Sequence, residues 1–385
     1  MTFLHRGGAD DRLRSEGLED APPAAAPLSP LSMSPDRNAP MTDPRSIGVV
    51  GYGAGGRWFH VPYILAVPDW KLVGVVTRSA DRRALLAEEA PGVAAFDSLD
   101  ELIDAGVDAV VITTPPETRR ELVLRALERG VNTVADKPFA PDAAGARELA
   151  AAAAESGVLL TVFHNRRWDT DVRTLADVIS RGELGEIWRV TSRFDLDDPA
   201  TLEAGPAHGL LRDVGSHLVD QMIALFGPVA RVDAHLDMTS IDGTEVDCGF
   251  VATLHHRGGV TSTASSSKLN HLHEREIIAY GSQGAYVSRM SDVQTRQIWA
   301  GLRPATTTIG WGVEDSERWG TLHTGGGVTS VPSAAGDYTE FYRGLLRAVR
   351  GEGGLPVTLE SAVHTVEVLD AARQSATDGR TIQLD

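Results

Sequence analysis

From Ser46 onward the chain is built of short Val-, Ile- and Ala-rich runs separated by longer polar stretches. SIGVVGYG (46–53), KLVGVVT (71–77), DAVVIT (108–113), NTVAD (132–136) and VLLTVF (158–163) are the apolar runs. Their shortness and β-branched content predict buried strands. ADRRALLAEEA (80–90), ETRRELVLRALERG (117–130) and PDAAGARELAAAAAESG (141–157) have helical texture and alternate with those runs. Strands alternating with helices predict a parallel sheet covered on both faces, and right-handed crossovers make it a doubly wound, Rossmann-type domain.

Beyond about His164 the pattern changes. EIWRVTSRFDL (186–196), ARVDAHLDM (230–238), VDCGFVATLHH (246–256) and GVTSTASSS (259–267) alternate apolar with polar positions and have fewer helices between them. They predict a mainly antiparallel sheet with one covered face. DYTEFYRGLLRAVRG (337–351) and LESAVHTVEVLDAARQSA (359–376) return to helical spacing. The Gly- and Thr-rich stretch 289–332 has weak periodicity and is assigned no element. The fold class is therefore α/β, divided into a tail (1–43), a nucleotide-binding domain (44–163) and a second α/β domain (164–385).

The tail differs in composition. Seven of the 20 prolines fall at or before Pro44, and APPAAAPLSPLSMSP (21–35) has no period, so this part is expected to be disordered. It has neither the basic start nor the apolar stretch of a signal peptide. Met41, just before the first strand, admits a start codon assigned too early. Net charge is −17, which argues against a nucleic-acid partner. Cys248 is the one cysteine, excluding an internal disulfide and a zinc–thiolate cluster and making a reducing cytoplasm the default compartment. No apolar run approaches the roughly 18 residues of a membrane span, so no membrane partner is expected.

After the first strand comes Gly51-Tyr52-Gly53-Ala54-Gly55-Gly56, matching G-x-G-x-x-G at Gly51, Gly53 and Gly56. In such a turn the first glycine permits the bend, the second lets a pyrophosphate approach, and the third lets helix and strand pack closely. The following helix N-terminus offers N–H groups to phosphate. The strand–turn–helix setting points to a dinucleotide. At the end of the second strand, where an NAD site usually has a carboxylate, stand Thr77, Arg78 and Ser79. Arg78 suits a 2′-phosphate, so NADP is expected over NAD, with NAD still open.

Two further motifs carry chemistry. Asp136-Lys137-Pro138 ends the fifth strand, at the edge where ligands bind in such sheets, and places Lys137 to bond a substrate oxygen. The other reading is a surface lysine in a turn. Asp213, His217 and Asp220 fall at i, i+4 and i+7, predicting one helical face on which a carboxylate steers and charges the imidazole. A histidine so held suits proton exchange during hydride transfer. An N-cap Asp213 beside a packed histidine is the structural alternative. A metal would need further ligands, and none is suitably spaced; no metal is expected.

These pieces together resemble the Gfo/Idh/MocA family of NAD(P)-dependent oxidoreductases. The resemblance rests on the glycine turn with Phe59-His60-Val61-Pro62, on Thr113-Thr114-Pro115-Pro116, on Asp136-Lys137-Pro138 and on Asp213-x3-His217. Phe163-His164-Asn165-Arg166-Arg167-Trp168-Asp169 resembles the branch of scyllo-inositol dehydrogenases and sugar reductases. It implies a sugar, polyol or cyclitol substrate, with Thr114, Pro115, Pro116, Asp136 and Lys137 at the cofactor. It also implies a second domain with a large open sheet that binds substrate and joins copies into a homodimer or homotetramer. By the same resemblance Lys137 binds the reacting oxygen, His217 is the acid/base, and Asp213 orients it or binds substrate hydroxyls. Asn165 and Arg166 would lie near the polyol, unless Arg166 is a structural ion pair holding the two domains together. Arg119 stands where the family often has histidine, and His208 and Arg212 are expected as solvated loop residues, the other reading being that they reshape the pocket. A nucleotide-dependent regulator without catalysis, or a lyase using its cofactor transiently, are the alternative functions.

Overall fold

The computed structural model describes residues 44–205, 208–307 and 309–384; the tail expected over 1–43 and Met41 lie outside them. Strands β1 (Arg45–Val50), β2 (Trp70–Val76), β3 (Ala94–Phe96), β4 (Ala109–Ile112), β5 (Asn132–Ala135) and β6 (Leu160–Val162) form a parallel sheet in the order β3-β2-β1-β4-β5-β6. Ile47 and Val49 of β1 and all four residues of β4 have no solvent exposure, as strands covered on both faces require. The strand order reverses between β1 and β4, opening a crevice at their carboxyl ends. Strand β3 was not anticipated, because three residues are too few to show a period.

The second sheet has nine strands: β7 (Ile187–Asp195), β8 (Val229–Ile241), β9 (Thr244–His256), β10 (Thr261–Ser267), β11 (Glu274–Gly281), β12 (Gly284–Ser288), β13 (Gly320–Thr324), β14 (Gly327–Val331) and β15 (Ile382–Gln383). Their order is β14-β13-β12-β11-β7-β10-β9-β8-β15, and of these pairings only β7–β10 is parallel. Alternate residues of β10 are buried. The helices Gly215–Phe226 and Leu359–Asp378 cover one face, while Val251 and Tyr280 on the other are exposed. The stretch left without elements, 289–332, supplies the helix Val293–Trp299 and the hairpin β13–β14 at the sheet edge. Its glycines serve turns, which is why no continuous period shows in the sequence.

One late helix returns to the first core. Thr339–Val349 packs Phe341, Tyr342 and Leu345 with the β1–β6 cluster, and Trp70 Nε1 donates to the Tyr342 carbonyl at 2.9 Å. Helical spacing reveals that a face is apolar, not which of two cores receives it.

Candidate active site

The glycine turn divides its labour by position. Gly51 has φ +111°, and a Cβ there would strike the Thr113 carbonyl. A Cβ on Gly56 would overlap the Gly51 carbonyl. Around Gly53 a Cβ would meet nothing within 4 Å, so its face is the open side of the turn. Two glycines thus close the bend and the middle one leaves room for a pyrophosphate, a fit to a dinucleotide. Tyr52 points inward, 2% exposed, and donates to Glu89 Oε2 at 3.0 Å. The helix beyond differs from the regular one expected: Gly55–His60 is a π turn, followed by Val61–Ile64. Pro62 lacks an N–H, and a widened turn ahead of it fits that loss.

At the end of β2, Thr77 is buried, while Ser79 caps the helix Ala80–Glu89 by accepting from the Arg82 N–H. Arg83 holds the Thr77 carbonyl at 2.9 Å and Asp97 at 2.6 Å. Arg78 is exposed and makes no ion pair among the described residues, leaving its guanidinium available for an anion.

Asp136 is anchored from both oxygens. Oδ1 accepts from the Lys137 N–H at 2.8 Å; Oδ2 accepts from Thr113 Oγ1 at 2.7 Å and faces His60 Nε2 at 3.3 Å. Burial alone would raise this carboxyl, but His60, Arg119 and the Thr113 hydroxyl outweigh it and hold it well below the usual range. His60 is fully buried, with Nδ1 2.5 Å from the Tyr342 hydroxyl. Arg119 donates to the Pro138 and Thr114 carbonyls, so it clamps the loops on either side of the crevice. Pro115 and Pro116 open the helix Pro116–Glu128 behind it. Lys137-Pro138 is a cis peptide bond.

Lys137 Nζ reaches across to the second domain, 2.7 Å from Asp213 Oδ1 and 3.2 Å from the Asp213 carbonyl. Lys268 Nζ takes the other oxygen, Oδ2, at 3.1 Å. Burial by neighbouring protein raises the Asp213 carboxyl, yet the two ammonium groups hold it well below its ordinary range. The side chain still keeps 46% exposure, because it faces the crevice. That crevice, of about 190 Å³, is lined by Pro116, Arg119, Lys137, His208, Asp213 and Lys268, among others.

The expected Asp213–His217 pairing is not what the structure shows. One helix, Leu210–Asp213, ends at Asp213; Val214 is the joint, and a second helix runs Gly215–Phe226. Val214 keeps helical dihedrals, and the Asp213 carboxylate bonds the two lysines rather than the imidazole. His217 is 8% exposed with Nδ1 unpaired among the described residues. Burial, then the charges of Lys137 and Arg166, push it well below the usual histidine value, so it is neutral near pH 7. Its neighbours in sequence favour a charged imidazole; burial and cations reverse the sign. Asp220 turns to Arg167, which donates at 2.8 and 2.6 Å, and lies 3.8 Å from His164 Nε2.

Asn165 is buried, and Arg166 is committed to a charge network beside the site. Arg166 pairs with Asp292 at 2.8 Å and Asp169 at 3.2 Å, while Arg275 pairs with Asp169 at 2.7 Å and Asp171 at 2.9 Å. Both guanidinium groups lie over Phe194. Arg166 is thus ion-paired, but with partners of its own domain rather than across the two domains. Arg212 is buried, and His208, half-buried, lines the crevice. His208 bridges Glu117 at 2.7 Å and Glu203 at 2.9 Å, and buried Arg212 pairs with Asp370 at 2.9 Å. Each found a carboxylate distant in sequence, Glu117 for His208 and Asp370 for Arg212. Among the described residues no group of three or more His, Cys, Asp or Glu could hold a metal.

Lys268 is the site residue that motif reading missed. Its flanks, SSS and LN, carry no pattern. The available signal was compositional: the lysines are Lys71, Lys137 and Lys268 alone, against 36 basic residues in all.

Comparison with known proteins agrees with this architecture. Residues 45–164 match an oxidoreductase family with an NAD-binding Rossmann fold, GFO_IDH_MocA, and residues 176–384 match its C-terminal α/β domain. The scyllo-inositol 2-dehydrogenase (NADP(+)) IolW of Bacillus subtilis is 28% identical, covering 89% of this chain and 97% of that protein. The uncharacterized oxidoreductase YdgJ of Escherichia coli is 32% identical over 89% of this chain and all of its own length. The solved structure of the oxidoreductase yvaA from Bacillus subtilis superposes with a TM-score of 0.82 at 29% identity, covering 89% of this chain and 100% of that one. With an NAD-binding Rossmann domain, a glycine turn open at Gly53 and both domains of the family matched, the chain belongs to the Gfo/Idh/MocA oxidoreductases.

Proposed function

We propose that this enzyme transfers a hydride between NADP(H) and a secondary alcohol or ketone of a sugar, polyol or cyclitol. The observation that carries the reading is the meeting of Lys137 with Asp213 beside a buried, neutral His217, at the carboxyl edge of the first sheet. Gly51, Gly53 and Gly56, with Ala54 and Gly55 between them, would hold the pyrophosphate. Exposed Arg78, with Thr77 and Ser79, would receive a 2′-phosphate, which favours NADP over NAD. IolW is an NADP(+) enzyme by name and lends the same support. The bound nicotinamide supplies the hydride acceptor or donor.

Lys137 donates a hydrogen bond to the reacting oxygen and stabilises its negative charge as it develops. His217, neutral, takes the hydroxyl proton in oxidation and returns it in reduction. Asp213 holds Lys137 before substrate arrives and accepts from a neighbouring hydroxyl of the bound sugar. Asn165 and Arg166 border the substrate, with Arg166 acting through its charge. The exposed sheet face around Val251 and Tyr280 is where we place contacts between copies, as a homodimer or homotetramer.

A panel of inositols, sugars and polyols, followed by nicotinamide absorbance with NADP and NAD, tests this. Turnover of a ring alcohol with NADP preferred is the expected result. Product formed without net cofactor change would move the reading to a lyase, and binding without any reaction to a regulator.

A further inference from the structure

Two of the three lysines converge on one carboxylate. Lys268 follows the end of β10, its backbone N–H held by the Cys248 carbonyl at 3.0 Å. Its side chain is 3% exposed, and the ammonium bonds Asp213 Oδ2 at 3.1 Å and the Thr201 carbonyl at 3.1 Å. An ammonium stripped of water to this degree needs a paired charge, and Asp213 is the carboxylate it contacts. Asp213 therefore carries one ammonium on each oxygen, Lys137 on Oδ1 and Lys268 on Oδ2.

That geometry matters for the reaction. To bond a substrate oxygen, Lys137 must give up Asp213 Oδ1. With Lys137 as its one cation, the carboxylate would be left uncompensated beside buried groups, and it would compete with the substrate for the lysine. With Lys268 in place, the carboxylate keeps a cation throughout. We propose that Lys268 is a positioning residue, which holds Asp213 by its second oxygen so that Lys137 is free to move to the substrate. By gripping the Thr201 carbonyl as well, it ties the crevice-lining loop to the same carboxylate. The inference rests on the proposed function in one respect, that Lys137 serves the reacting oxygen.

The test is a double-mutant cycle in the full chain, comparing wild type, Lys268→Gln, Asp213→Asn and the double variant. Lys268→Gln is expected to lower kcat/KM by about 100-fold while NADPH affinity, read by fluorescence, stays within about threefold. In the Asp213→Asn background the same change is expected to cost less than about threefold, since no carboxylate then competes for Lys137. An equal loss in both backgrounds, or no loss in either, overturns the proposal.

A second measurement needs neither substrate nor a folded Lys268 variant. With three lysines in the chain, acetylation by acetic anhydride can be followed lysine by lysine in peptide masses, exposed Lys71 serving as reference. Lys268 is expected to label at least about tenfold more slowly than Lys71, and to lose most of that protection in Asp213→Asn. Protection unchanged in that variant would show that Asp213 does not hold Lys268, and the assignment falls. Should no alcohol or ketone in the panel react with the wild type, the proposed function fails, while this labelling still decides the pairing.

Discussion

Lys137 Nζ lies 2.7 Å from Asp213 Oδ1, joining two motifs 76 residues apart and bringing the edge of the first sheet against the helices of the second domain. Neither motif is a site alone. Lys137→Met is expected to lower kcat/KM by about 10²–10³-fold, the usual loss when one donor to a developing oxyanion is removed. NADP(H) affinity should be little changed, because Lys137 is not part of the glycine turn. Steady-state rates beside fluorescence titration of NADPH check both; comparable losses in the two would show that the lysine serves the cofactor instead.

The glycines of the turn should respond in opposite ways. Gly56→Ala forces a Cβ onto the Gly51 carbonyl, and is expected to destabilise the fold by about 1–3 kcal/mol. Gly53→Val meets no protein atom at its Cβ and should leave the melting temperature nearly unchanged while weakening NADPH binding. Thermal unfolding measured with and without NADPH separates the two effects. A Gly53 variant that melts early but binds normally would mean that the open side of the turn does not face the cofactor.

Arg78 should decide between the two nicotinamide cofactors. Removing a charged donor to the 2′-phosphate costs about 1.5–3 kcal/mol, so Arg78→Ala is expected to weaken NADP binding about 10–100-fold. NAD binding should change little, since NAD has no phosphate there. Dissociation constants for both cofactors provide the check, and an equal change in both would remove Arg78 from the 2′ site.

His164 predicts a pH dependence of stability. Burial pushes it down to about 4 from 6.5, with the charges of Arg167 and Lys137 adding to the effect and Asp220 opposing it. The unfolded chain therefore takes up a proton on this histidine at higher pH than the folded one. Stability that is present above about pH 6.5 is lost as pH falls toward 4, by up to roughly 3 kcal/mol. His164→Asn cannot titrate, so its stability relative to wild type should improve between pH 7 and pH 5. Urea unfolding at both pH values measures the difference, and parallel curves would show that His164 is protonated in the folded protein.

How much of this was written in the chain can be followed residue by residue. The strands of the first sheet announced themselves because a strand covered on both faces must be apolar where it is buried, as β4 is throughout and β1 is from Ile47 onward. The glycine turn was legible because the positive φ of Gly51 and the contact of Gly56 with the Gly51 carbonyl arise within the turn itself. Lys137 was legible because loops at the carboxyl ends of parallel strands form the crevice whatever lies opposite. Local sequence thus determined the fold class, the cofactor turn and one half of the site.

What lay opposite was decided only by packing. Asp213 bonds Lys137 and Lys268, which come from elements distant in sequence, rather than His217, and spacing along a helix could not foresee it. Burial, a property of the whole fold, made His217 neutral where its neighbours in sequence suggested a charged imidazole. Lys268, His208 and Arg212 found partners on distant elements. Electrostatic pairing depends on distance through space, and the chain by itself reports distance only along its length.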